Sequence, residues 1–115
     1  MSHGPMEPEF TEAQIARQND LLQDFNDLVH AHRLLLQEIR DNQNQWRRWQ
    51  HRRDAARNAD RRDEFLHARQ RVIDYEERLS DLWQQDALAR RDVEAAEARY
   101  ERAMRGNHTR AEEGG

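Results

Sequence analysis

Residues 15–39 read IARQNDLLQDFNDLVHAHRLLLQEI, and their spacing decides the fold. One row of side chains recurs every seventh position as Ile15, Leu22, Val29 and Leu36. A second row, displaced by three, is Gln18, Phe25, His32, Ile39 and Trp46. Two such rows form a continuous apolar seam on a helix, the a/d pattern of a coiled coil. A half-buried strand would need alternation with β-branched enrichment, and no stretch provides it.

The start of this helix is written just upstream. Thr11 is a good N-cap, and Gln14 stands three residues later, which makes a capping box. Phe10 precedes the cap and Ile15 occupies the fourth helical position, the arrangement of a hydrophobic staple. Glu12 sits favourably at the positive end of the helix dipole. The seam fades after Trp49, where arginine takes over.

A second repeat begins at Phe65. Its rows are Phe65, Val72, Leu79, Asp86, Val93 and Tyr100, and then Ala68, Tyr75, Leu82, Ala89, Ala96 and Ala103. It stops just before Gly106, where a helix C-terminus is expected. Between Pro8 and Gly106 the 97 residues contain neither proline nor glycine, so very few turns are expected.

One straight helix would run for about 140 Å, whereas doubling back halves that length. The best break is Asn58-Ala59-Asp60: asparagine tolerates the left-handed conformation that ends a helix, and Asp60 can cap the next one. With Ala59 as the centre, equidistant residues face each other across an antiparallel pair. Phe25 then meets Val93, Leu36 meets Leu82, Trp46 meets Val72 and Ile15 meets Ala103. Each is an a residue opposite a d residue, with large side chains meeting small ones toward the open end, as close packing requires. The same register places His32 opposite Asp86, the main polar intruders in the two seams. A break at Asp41-Asn42-Gln43-Asn44 would give unequal arms and lose the correspondence.

The expected architecture is therefore all-α, a long antiparallel coiled-coil hairpin pairing into a four-helix bundle. Its layout is a flexible segment over 1–10, helices over 11–57 and 61–105, a turn over 58–60 and a flexible tail over 106–115.

Composition agrees with this class. Of 115 residues, 36% are hydrophobic and 37% charged, too polar for a compact globule of this length. Cysteine is absent, which excludes disulfides and thiolate metal sites and favours a reducing, cytoplasmic setting. No apolar run approaches the roughly 18 residues of a membrane span, so no membrane role is expected. All 19 basic residues are arginine.

Leu21, Leu28 and Leu35 form a third apolar row beside the first seam, extended by Trp49. The facing row on the second helix is Glu64, Arg71, Arg78, Gln85, Asp92 and Arg99, which is not expected to cover the leucines. Trp83, Leu66, Ile73 and Leu88 also lie off the seam. Burying a leucine contributes about 1.5–3 kcal/mol, and monomers rarely leave such a stripe open. Leu21, Leu28, Leu35, Trp49 and Trp83 are thus the candidate interface, either for a homodimer or for a helix of another protein.

Charge is segregated along the chain. Residues 1–44 hold three arginines and eight acids, residues 47–71 nine arginines and four acids, and residues 72–115 seven arginines and eleven acids. Folding back turns the middle segment into a basic tip. Trp46, Arg47, Arg48, Arg52 and Arg53 lie there, and tryptophan and arginine are frequent interface anchors. They also suit single-stranded nucleic acid, though the chain as a whole is acidic and carries no nucleic-acid motif.

His32 and Asp86 could orient a general base, but no nucleophile stands beside them and a seam offers no pocket. Their expected role is to fix register. His30 and His32 point to different faces, and no phosphate loop, metal motif or cofactor site is present in the sequence. In size and form the chain resembles the small secreted WxG helical hairpins of specialised bacterial secretion. It has no Trp-x-Gly, since Trp46 is followed by arginine and Trp49 by glutamine. Its arginine- and alanine-rich heptads also resemble those of short coiled-coil stalk proteins of bacterial flagellar and type III export. The expected function is a non-enzymatic scaffold or adaptor. The alternatives are a partner-dependent subunit of such an assembly and nucleic-acid binding through the tip.

Overall fold

The computed structural model describes the backbone of residues 10–114 and the side chains of residues 10–105. It contains two helices and, among the described residues, no strand. Helix α1 is Glu12–Asn58 and helix α2 is Arg62–Gly114. The all-α hairpin expected from the heptads is the fold observed. Residues 1–9 of the expected flexible N-terminal segment lie outside the described residues.

Helix α1 starts as its sequence dictates. The Thr11 N–H donates to Gln14 Oε1 at 2.7 Å, and the Gln14 N–H donates to Thr11 Oγ1 at 3.1 Å. This reciprocal pair satisfies two of the donors that a helix start leaves open. The helix runs unbroken through Asn42, the alternative breaking point. There the Asn42 side-chain amide donates to the Glu38 carbonyl at 2.8 Å. A polar side chain that bonds back to its own helix can be buried without interrupting it.

The turn lies one residue later than its expected position, at Ala59–Arg61. Asp60, not Asn58, takes the left-handed conformation, with φ of 58°. The Arg61 N–H reaches the Ala56 carbonyl at 2.8 Å, and the Asp60 N–H reaches the Arg57 carbonyl at 3.2 Å. Those two bonds are a Schellman closure, which needs its left-handed residue immediately after the last helical carbonyls are turned in. Asp60 therefore ends α1 instead of capping α2. Asp63 and Glu64 in the first turn of α2 supply negative charge at its positive end.

Helix α2 continues past Gly106, its expected end, to Gly114. The expected tail at 106–115 is thus helical through Gly114. A single glycine costs a helix about 1 kcal/mol relative to alanine, and the residues that follow include good helix formers.

The chain divides into two compact units, one from residues up to His30 and from Arg90 onward, the other from residues 31–89. In the unit containing the turn, the helices run antiparallel. His32 touches Asp86, Trp49 touches His67 and Arg57 lies over Phe65, so partner numbers fall on α2 as they rise on α1. Ile39, Ala56, Ala68, Val72 and Leu82 are the buried apolar residues here. In the other unit Ala96 is buried, and Phe25, Val29, Val93, Tyr100 and Ala103 are half-buried.

Both rows expected on α2 are buried or half-buried throughout. The face used by α1 is shifted. Ile15 and Leu22, assigned to the seam, are 46% and 37% exposed. Leu21, Leu28, Leu35 and Trp49, expected to stay open, are half-buried, and Asn42 and Ala56 in the same row are buried. Around Trp49 the reason is visible. Arg71, counted as unable to cover an apolar row, is half-buried and lies 5.2 Å from the centre of the Trp49 ring. An arginine lays its aliphatic stem and guanidinium plane on an apolar surface while its N–H groups stay in reach of water.

Candidate functional site

The turn end of the 31–89 unit carries a connected group of arginines and aromatic rings. Trp49 is at its centre. The Arg52 guanidinium lies over the indole at 4.6 Å and that of Arg71 at 5.2 Å. His67 meets the same ring edge-on, 5.4 Å between centroids at 81°. Arg71 also lies over Tyr75 at 5.3 Å and donates to its hydroxyl at 3.3 Å, and Arg78 lies over Tyr75 at 5.7 Å. The run Arg52–Trp49–Arg71–Tyr75–Arg78 thus alternates cations and rings. Each contact contributes about 0.5–1 kcal/mol at an exposed site and more where water is excluded.

Helical spacing assembles it. Trp49 and Arg52 are three apart on α1, and Arg71, Tyr75 and Arg78 are four and three apart on α2, so each set shares one helix face. The tight closure at Ala59–Arg61 brings the two faces together.

Beside Trp49 is an open cavity of about 600 Å³. Its apolar floor is Ala55, Ala56, Ala59 and Ala68, and its polar rim is Arg52, Arg61, Glu64 and His67. Arg61 pairs with Glu64 at 3.4 Å, an exposed contact of little strength. Among the described residues Arg52 has no carboxylate partner.

The residues expected at the tip separate into two groups. Trp49 and Arg52 join the cluster and line the cavity. Trp46, Arg47, Arg48 and Arg53 do not line it. Trp46 is half-buried with its indole N–H enclosed and without an acceptor. Arg47 leans on Asn44 at 3.4 Å, Arg48 is exposed, and Arg53 pairs with Asp54 at 3.1 Å. Sequence reasoning missed Arg61, His67, Arg71, Tyr75 and Arg78 as members of the site. The Arg71, Tyr75, Arg78 spacing was the available signal, but its partner face depended on where the turn fell.

His32 and Asp86 meet as expected. His32 Nε2 and Asp86 Oδ1 are 2.6 Å apart, with Asp86 buried and the histidine side chain 19% exposed. Among the described residues no group of three or more histidines or acids could hold a metal ion. Among them, too, no helix is long and apolar enough to cross a membrane.

Among the large apolar side chains left open in the 31–89 unit are Leu34, Leu66, Trp83 and Leu88, between 44% and 59% exposed, and Ile73 at 36%. Trp83 was expected to be uncovered, and it is. Compared with family models, with curated proteins and with solved structures, the chain matches none.

Proposed function

We propose that this chain is a non-enzymatic binding module that joins a protein assembly through the turn end of its helical hairpin. The arginine–aromatic cluster around Trp49 carries the reading. Interface energy concentrates in tryptophan, tyrosine and arginine held in place before binding, and this cluster contains all three. The nine arginines within residues 47–71 give the same end a positive field in an acidic chain, which steers an acidic partner. Affinity capture with the native chain and with Trp49→Ala, each with and without nuclease, tests it. Proteins held by the native chain, lost by the variant and indifferent to nuclease are the expected result. An identical set on both chains would refute the reading.

A second reading is favoured by the exposure of Leu66, Ile73, Trp83 and Leu88. Under it, two chains cover these side chains by pairing into a coiled-coil four-helix bundle. Sedimentation equilibrium would then show a dimer that Trp83→Ala weakens. A monomer at every concentration rejects this reading.

A further inference from the structure

We infer that the cavity beside Trp49 seats one apolar side chain of an acidic polypeptide segment, whose carboxylates pair with Arg52 and Arg61. This rests on the protein-binding reading above and names the chemistry of the partner. Three observations carry it. The cavity, about 600 Å³, lies within the roughly 300–1,000 Å³ of clefts that hold ligands. Its lining combines the Trp49 indole with Ala55, Ala56, Ala59 and Ala68, so an apolar side chain meets a mostly apolar surface there.

The rim supplies the charge. Arg52 is held in orientation by the Trp49 ring at 4.6 Å and has no carboxylate partner among the described residues. A guanidinium oriented in advance loses less freedom when it forms a two-pronged bond to a carboxylate. Among the described residues, the exposed contact with Glu64 is the only ion pair Arg61 has to give up. The excess of nine arginines over four acids in residues 47–71 complements an acidic segment.

A nucleic acid would match the charge but not the surface. Base stacking needs an open aromatic face. The Trp49 ring already has Arg52 and Arg71 against it and His67 at its edge.

The test is fluorescence anisotropy with three short labelled probes: an acidic helical peptide with one central leucine, the same peptide with serine in its place, and oligo-dT. The native chain is expected to bind the leucine peptide about tenfold or more tightly than the serine peptide, as burial of one leucine implies. Arg52→Glu should weaken the leucine peptide by a similar factor. Ala55→Leu narrows the cavity from an exposed helical position where leucine is well tolerated, so the preference for the leucine peptide should shrink on that variant. Far-UV circular dichroism confirms that both variants remain helical.

Equal affinity for the two peptides on the native chain overturns the inference. So does leucine-peptide binding that Ala55→Leu leaves unchanged, or oligo-dT binding tighter than the leucine peptide. If both peptides bind equally and Arg52→Glu loses both, the cavity is not a seat while the protein-binding reading stands. If neither peptide binds, the inference fails, and the capture experiment alone decides the broader reading.

Discussion

Replacing His32 and Asp86 with leucine, singly and together, probes the one polar layer that joins the helices of the 31–89 unit. The contact is 2.6 Å long, and Asp86 is 4% exposed. A hydrogen bond to a charged group contributes about 1.5–3 kcal/mol. His32→Leu removes it and leaves the buried carboxylate against an apolar side chain. Asp86 keeps a further interaction, which places the expected loss at about 2–3 kcal/mol rather than higher. Asp86→Leu removes the same bond, but the imidazole is 19% exposed and can reach water, so the loss is about 1–2 kcal/mol. The double variant buries neither group and fills the layer with hydrocarbon, so it should lie close to the native chain in stability. Urea unfolding followed by far-UV circular dichroism, at one chain concentration, gives all four corners of the cycle. Each single variant is expected to be less stable than the double. A double variant whose loss equals the sum of the singles within about 0.5 kcal/mol would refute this expectation.

Other changes have directions fixed by the structure. Asp60→Gly relieves a left-handed residue at φ of 58° and should stabilise the chain by about 0.5–1 kcal/mol, read as a higher melting temperature. Trp46→Phe removes an enclosed N–H that has no acceptor, so its unfolding midpoint should match or exceed the native one, whereas Trp46→Ala should lose about 2–4 kcal/mol. Thr11→Ala deletes the cap on α1 at a cost of about 1 kcal/mol, and hydrogen exchange should show faster fraying confined to the first turns.

The heptads made the hairpin legible because both α2 rows and the central α1 row of Gln18, Phe25, His32, Ile39 and Trp46 lie on the faces that meet. The capping box and the His32–Asp86 layer followed from spacing alone. The choice of flank on α1 was not legible in this way. Hydrophobicity favours Ile15 and Leu22 over Asn42, yet Asn42 is buried because its amide turns back onto Glu38. The covering of Trp49 was hidden for a related reason: arginine counts as polar in a pattern but packs as a flat, partly apolar group. Which helix end carries the left-handed residue depends on two backbone hydrogen bonds, and Asn58 and Asp60 are both plausible bearers by residue type.

Reversal of the chain at Ala59–Arg61 is what brings Trp49 against His67. Nuclear Overhauser contacts between the indole protons of Trp49 and the imidazole protons of His67, recorded with labelled chain diluted in unlabelled chain, test this directly. Strong contacts that survive dilution are the predicted result. Trp49 contacts limited to its own neighbours three and four residues away along α1 would contradict it.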